Sequence, residues 1–154
     1  MRWIGLLFWM GLCFAVAGTG GSQTALEVSG WYRTLIKPPI APPNWVFAPV
    51  WTLLYALMAV AAWLVGQSDP SPLRTWGLVL FLVQLGLNLA WTLIFFRRHA
   101  IGAAFAEVIV LWLAIGATTV VFSRVDSTAA WLMAPYWAWV TFASALNAEF
   151  WRLN

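Results

Sequence analysis

The chain has 154 residues, of which 63% are hydrophobic and 8% charged, with a formal net charge of +3 and 13 tryptophans. Soluble domains carry about 25% charged residues, and a surface this poor in charge would not stay dissolved. The composition excludes a water-soluble fold and makes lipid the solvent, and the pI near 9.6 comes from a few loop arginines that membrane topology explains better than nucleic-acid binding does.

Five apolar stretches of spanning length follow in chain order, each near the roughly 20 residues needed to cross ~30 Å of hydrocarbon. The first, Trp3–Gly21, starts behind Arg2 and contains Ala15-Val16-Ala17, which imitates a signal peptide with a small-residue cleavage site. Because the apolar run continues through Gly21, it reads as a span rather than a leader. Ser22 to Asn44 is the one long loop, and it holds Pro38, Pro39, Pro42 and Pro43. Prolines remove backbone donors and fix φ, so this stretch is neither helix nor central strand but a stiff, extended strap. The remaining spans are Trp45–Gly66, Leu73–Phe96, Ala100–Phe122 and Ala129–Trp151, separated by "GQSDPSPLR" (66–74), "RRH" (97–99) and "SRVDS" (123–127). Strands of a β-barrel would be about half as long and would alternate with polar residues. The expectation is an all-α membrane protein, a five-transmembrane-helix bundle forming a single domain over residues 1–154.

An odd number of spans puts the termini on opposite sides. Arg33, Lys37, Arg97, Arg98 and Arg152 fall on the side of the long loop and the C-terminus, against Arg2, Arg74 and Arg124 on the other. The positive-inside rule then places the long loop and the C-terminus in the cytoplasm. Cys13 stands alone, which excludes a disulfide within the chain, and a lone His99 excludes a histidine cluster for metal. Motifs of nucleotide binding, serine hydrolysis and zinc proteolysis do not occur.

Trp3, Trp45, Trp76, Trp131 and Trp151 fall near span ends, where amphipathic rings belong. Trp51, Trp91, Trp112, Trp137 and Trp139 fall deeper; at 1.5 Å per residue Trp139 lies near mid-bilayer and Trp51 roughly 9 Å in. Helical phase groups several of them. Gln84, Asn88 and Trp91 share one face of the third span, Trp51, Tyr55 and Met58 one face of the second, and Tyr136, Trp139, Ala143 and Asn147 one face of the fifth. Amides facing lipid are costly, so these stripes face the bundle interior, either as interhelical hydrogen bonds or as the walls of a pocket. Up-down order brings Trp51, Asn88, Trp91 and Asn147 into the half of the membrane beneath the long loop. Glu107, about 12 Å into the fourth span, is either a functional acid or a structural one.

"WYRTLIKPPIAPPNWVFAPVWTLLY" (31–55), "NLAW" (88–91), "PYWAW" (135–139) and "LNAEFWRLN" (146–154) resemble, in order and over essentially the whole chain, the TspO/MBR family of tryptophan-rich sensory and translocator proteins, relatives of the peripheral benzodiazepine receptor. The resemblance implies a five-helix bundle, often a homodimer in a bacterial cell membrane, with a pocket under the first loop. It implies no cofactor; porphyrins and other tetrapyrroles, sterols and benzodiazepine-site compounds are expected as ligands, for sensing, regulation or transport. Matched by motif, Tyr32, Pro42 and Pro43 fall in the loop lid, Trp51 on the second helix, Asn88 and Trp91 on the third, and Trp139, Ala143 and Asn147 on the fifth. Tyr55 and Gln84 lie on the same stripes, and Glu107 sits where relatives often carry an acid. Tyr136 and Arg152 are too far apart for the C-terminal cholesterol motif of animal members. Some relatives degrade porphyrins in light through pocket tryptophans, which makes Trp51 and Trp139 the catalytic candidates of an alternative, enzymatic reading. An ion channel or secondary transporter would be expected to show inverted repeats and broken helix pairs, and neither is visible.

Overall fold

The computed structural model describes residues 2–154. Helix α1 covers Arg2–Val28 and α2 is a single turn at Trp31–Thr34. After a 3-10 turn at Asn44–Val46 come α3 (Phe47–Gln67), α4 (Pro72–Thr92), α5 (Ile101–Ser123) and α6 (Ser127–Leu153). Among the described residues there is no strand.

Local chemistry sets the helix starts. Ser71 caps α4, its Oγ accepting from the backbone N–H of Arg74 at 3.1 Å, with Pro72 at the first helical position where a missing N–H costs nothing. Asp126 caps α6 in the same way, accepting from Ala129 N–H at 3.1 Å.

One expectation needs correction. The long loop does not begin at Ser22: α1 runs on to Val28 and α2 follows, which leaves Leu35–Pro43 as the irregular strap. Ser22–Val28 has no proline, and Ala25, Leu26 and Glu27 are good helix formers, so the helix outlasts its apolar run. The five-span expectation is met in part. Four helices are long and apolar enough to cross a membrane, namely those at Arg2–Val28, Asn44–Gln67, Pro72–Arg97 and Ile101–Ser123. Helix α6 is just as long, but Pro135, Tyr136, Asn147 and Glu149 lower its apolar character.

The five long helices close a ring in the order α1, α3, α6, α5, α4 and back to α1. One half of that ring is filled. Phe81 of α4 stacks on Phe122 of α5 at 6.1 Å and meets Trp9 of α1 edge-on at 5.4 Å, while Met58, Ala62 and Met133 are fully buried around them. Close approach of α5 and α6 depends on Gly116, where an added Cβ would come within 2.8 Å of the Trp137 ring.

Helix α4 does not end cleanly. It widens into a π turn at Leu93–Arg97, with Arg98 N–H bonded to Leu93 O at 3.0 Å, and then reverses at His99, whose φ is 56°. Widening the helix here lets both Phe95 and Phe96 point inward, where each is buried.

Candidate functional site

In the other half of the ring, nearest α2, lies a cavity of about 420 Å³. Its walls are aromatic on three sides: Phe47 and Trp51 from α3, Trp91, Phe95 and Phe96 from α4 and its π turn, and Trp139, Phe142 and Phe150 from α6. The fourth side, α1, offers no aromatic ring, only Ala17, Gly20, Gly21, Thr24, Ala25 and Val28. The volume lies within the roughly 300–1,000 Å³ typical of small-molecule sites.

The rings stand apart rather than filling the space. Trp51 and Trp139 meet edge to face with centroids 6.4 Å apart and planes at 90°, and Phe47 meets Trp139 at 6.4 Å and 75°. Polar groups hold this box open. At its floor the Tyr55 hydroxyl donates to Asn88 Oδ1 at 3.1 Å, and Asn88 Nδ2 donates to Tyr136 Oη at 2.7 Å. Tyr136 in turn donates to Gln84 Oε1 at 2.7 Å. This chain ties α3, α4 and α6 together below the cavity and leaves no amide of Asn88 unpaired. On the wall, Trp91 Nε1 donates to Asn147 Oδ1 at 3.0 Å, and Asn147 Nδ2 donates to the carbonyl of Ile101 at 3.0 Å. Buried indoles and amides need such partners.

One wall group has none. The Tyr32 hydroxyl is buried without a hydrogen-bond partner, in a residue 2% exposed that lines the cavity. Burial pushes its phenol above the ordinary tyrosine value. The Lys37 ammonium lies 4.9 Å over the Tyr32 ring and donates to the Tyr32 carbonyl at 3.3 Å. The strap that follows is pinned by the C-terminal residue: Ile36 N–H donates to Asn154 Oδ1 and Asn154 Nδ2 donates to Ile36 O, both at 3.0 Å. At the α4–α5 reversal His99 stacks on Trp31 at 4.1 Å, with Nε2 3.0 Å from Glu27 Oε2, joining the ends of α1 and α4 beside the cavity.

Of the residues singled out in the sequence, Tyr32, Trp51, Tyr55, Asn88, Trp91, Trp139, Ala143 and Asn147 line this one cavity. Gln84 lies one hydrogen bond beneath its floor. Pro42 and Pro43 belong to the strap between two lining residues, Tyr32 and Asn44, without lining the cavity themselves. Glu107 is half-buried on α5 away from the lining, and both of its carboxylate oxygens are buried without a partner. Sequence reasoning missed Phe47, Phe95, Phe96 and the small residues of α1. Ala17, Gly20 and Thr24 recur at helical spacing, a signal that was available; the inward turn of Phe95 and Phe96 depends on the π turn and was not.

The TspO/MBR family profile matches residues 9–152. The chain belongs to the TspO/MBR family. It is 40% identical over 146 residues to the tryptophan-rich protein TspO of Chlorobaculum tepidum, covering 94% of this chain and 92% of that one. It is also 40% identical over 154 residues to the tryptophan-rich sensory protein of Cereibacter sphaeroides, covering 100% and 94%. To the human translocator protein it is 39% identical over 129 residues, covering 80% and 75%. Membership makes this a membrane protein, and the family's sensory and translocator names fit a ligand-binding role for the cavity.

Proposed function

We propose that the cavity is a binding site for tetrapyrroles of the porphyrin or haem type, and for other flat hydrophobic compounds such as sterols or benzodiazepine-site ligands. On this reading the protein senses, regulates or transports them. The observation that carries it is the wall chemistry. Three aromatic sides offer faces and edges to a planar conjugated ring, while Tyr32 Oη waits unpaired for a polar group on the ligand. Adding protoporphyrin IX to the detergent-solubilised protein should quench tryptophan fluorescence with saturation at micromolar concentration, order-of-magnitude. Unquenched fluorescence at excess porphyrin in a folded, helical sample rejects the reading.

The same reading includes the setting. Helix α6 crosses the membrane as the fifth span, since its polar atoms are spent on inward hydrogen bonds such as that of Tyr136. A bacterial cell membrane, a cytoplasmic strap and C-terminus, and a homodimer complete it.

A second reading has its own observation, the edge-to-face pair Trp51 and Trp139 on the cavity wall. Two indoles against a light-absorbing ring could take part in its light-dependent breakdown, which would make the protein a porphyrin-degrading enzyme. Illumination should then remove the porphyrin absorbance with a new product appearing, and Trp51→Phe and Trp139→Phe should abolish this. Porphyrin recovered unaltered leaves a binder only.

A further inference from the structure

We infer that the cavity opens sideways into the bilayer through a slot between α1 and α3, and that its ligand is drawn from the membrane rather than from water. This rests on the cavity being a site for a hydrophobic ligand.

A residue that lines a cavity and is also exposed on the molecular surface marks an opening. Six lining residues are so exposed: Ser29 and Asn44 at the strap end, and, deeper along two neighbouring helices, Gly21 and Ala25 on α1 with Ala48 and Thr52 on α3. An added Cβ at Gly21 would meet nothing within 4 Å. At the far end the same two helices are sealed. There Trp3 stacks on Trp63 at 5.6 Å, Trp63 Nε1 donates to the carbonyl of Arg2 at 2.7 Å, and Gly5 sits against the Trp63 ring. Helices α1 and α3 therefore touch at one end and part at the other, and the parted end is the cavity.

Depth and chemistry decide what the slot faces. Thr52 lies five residues into α3 from Phe47 and Gly21 six residues before Glu27, about 7.5 and 9 Å below those markers at 1.5 Å per residue, while Ala48 and Ala25 form the shallow end within about 3 Å of them. The chain neighbours of the lips include Leu26, 71% exposed, and Leu53, 60% exposed, apolar side chains that suit a lipid surface and not water. The lip hydroxyl is already satisfied, because Thr52 Oγ donates to Ala48 O at 2.7 Å inside its own helix. Thr24, just inside, donates to Gly20 O at 3.0 Å. The lips thus present methyl groups and backbone shielded by a helix, a surface suited to hydrocarbon. On the strap side the chain is tied down by Asn154 on Ile36 and by Lys37 on Tyr32, and the exposed lining residues there, Ser29 and Asn44, are polar. A flat, membrane-dissolved amphiphile could pass edge-first between two rows of small residues, whereas a polar solute would have no reason to be there.

Two measurements on the full-length protein in phosphatidylcholine vesicles test the slot. First, a nitroxide on Thr52→Cys, in a Cys13→Ala background, should collide more with dissolved oxygen than with a water-soluble nickel chelate. Second, Ala25→Trp and Gly21→Leu narrow the lips. Each should slow both uptake of protoporphyrin IX from the vesicles and its release, by about tenfold or more. A mere wall defect would instead raise the release rate. The inference is overturned if the label prefers the nickel chelate. It is equally overturned if the lip variants exchange porphyrin at the wild-type rate while replacing Pro38, Pro39, Pro42 and Pro43 by Ala speeds exchange, since that puts the route through the strap. Should the wild-type protein take up no porphyrin at all, the ligand class falls, and the spin label alone decides whether the slot faces lipid.

Discussion

Around Phe81 the bundle is full of aromatic rings and solid; around Trp51 it is full of aromatic rings and hollow. The difference is not one of ring angle, since Phe81 meets Trp9 at 88° much as Trp51 meets Trp139 at 90°; it lies in what closes around the rings. Phe81 and Phe122 lie nearly parallel, 12° apart, and small residues such as Gly77, whose Cβ would sit 3.2 Å from Phe122, let helices close on them. Trp51, Phe47 and Trp139 instead border the cavity like the sides of a box. The boundary between the halves is the hydrogen-bonded chain Tyr55–Asn88–Tyr136–Gln84. In lipid there is no hydrophobic drive to collapse a gap between helices, so packing and polar contacts must hold the form. A void can persist where such a chain fixes the spacing of three helices. Aromatic content alone therefore does not distinguish a core from a binding site; the polar anchoring does.

The comparison can be broken by truncating one ring in each half. Phe81→Ala should cost about 3–5 kcal/mol of stability, since it removes a fully buried ring from a filled region. Phe142→Ala, on a wall that already borders empty space, should cost less than half of that. Thermal unfolding of the two variants in the same detergent compares them directly, and equal losses would contradict the division into filled and hollow halves.

The boundary itself is sharpened by Tyr136→Phe. That change leaves Gln84 Oε1 without its donor and Asn88 Nδ2 without its acceptor in the interior, at a cost of about 1–3 kcal/mol. Porphyrin affinity should fall with it, because the cavity floor loses its spacing. Wild-type stability would mean that the chain is incidental to the fold.

Ala143→Thr acts only on the hollow side. The added atoms project from a cavity wall, so large ligands should weaken by about 1–3 kcal/mol, roughly five- to 150-fold in Kd, with little change in unfolding temperature. Isothermal or fluorescence titration reads it, and equal affinity would remove Ala143 from the ligand's surroundings.

The smallest effect is expected at the strap. Asn154→Ala removes the pair of hydrogen bonds to Ile36, each worth about 0.5–1.5 kcal/mol at most and less where exposed. It should raise proteolysis between residues 35 and 44 in the ligand-free protein, with bound porphyrin restoring protection. Cleavage at the wild-type rate would mean that the prolines alone hold the strap.

How far this was visible in the sequence differs by element. The helical faces carrying Trp51 and Tyr55, Asn88 and Trp91, and Trp139, Ala143 and Asn147 followed from 3.6-residue periodicity, and all of these residues line one cavity. Gln84 was on the right stripe but one hydrogen bond too deep, since periodicity gives the face of a helix and not the height of the cavity floor. The end of α1 was misplaced because hydropathy reports where a chain leaves hydrocarbon, whereas Ser22–Val28 stays helical beyond it. Phe95 and Phe96 were out of reach because a π turn changes the phase on which such counting depends. Glu107 drew notice as an intramembrane acid, and its two unpartnered oxygens keep it anomalous without joining it to the cavity.

Plugging the hollow half tests the central claim most directly. Ala143→Trp places an indole inside the cavity, on α6 between Trp139 and Asn147, without touching Phe81, Phe122 or Met133. Titration of wild type and variant with protoporphyrin IX, followed by tryptophan fluorescence and paired with thermal unfolding, gives both quantities at once. The expected result is saturable quenching in the wild type that is lost in a variant with an equal or higher unfolding temperature. Undiminished porphyrin binding by a folded Ala143→Trp protein would show that the ligand sits elsewhere and that the hollow half is not the site.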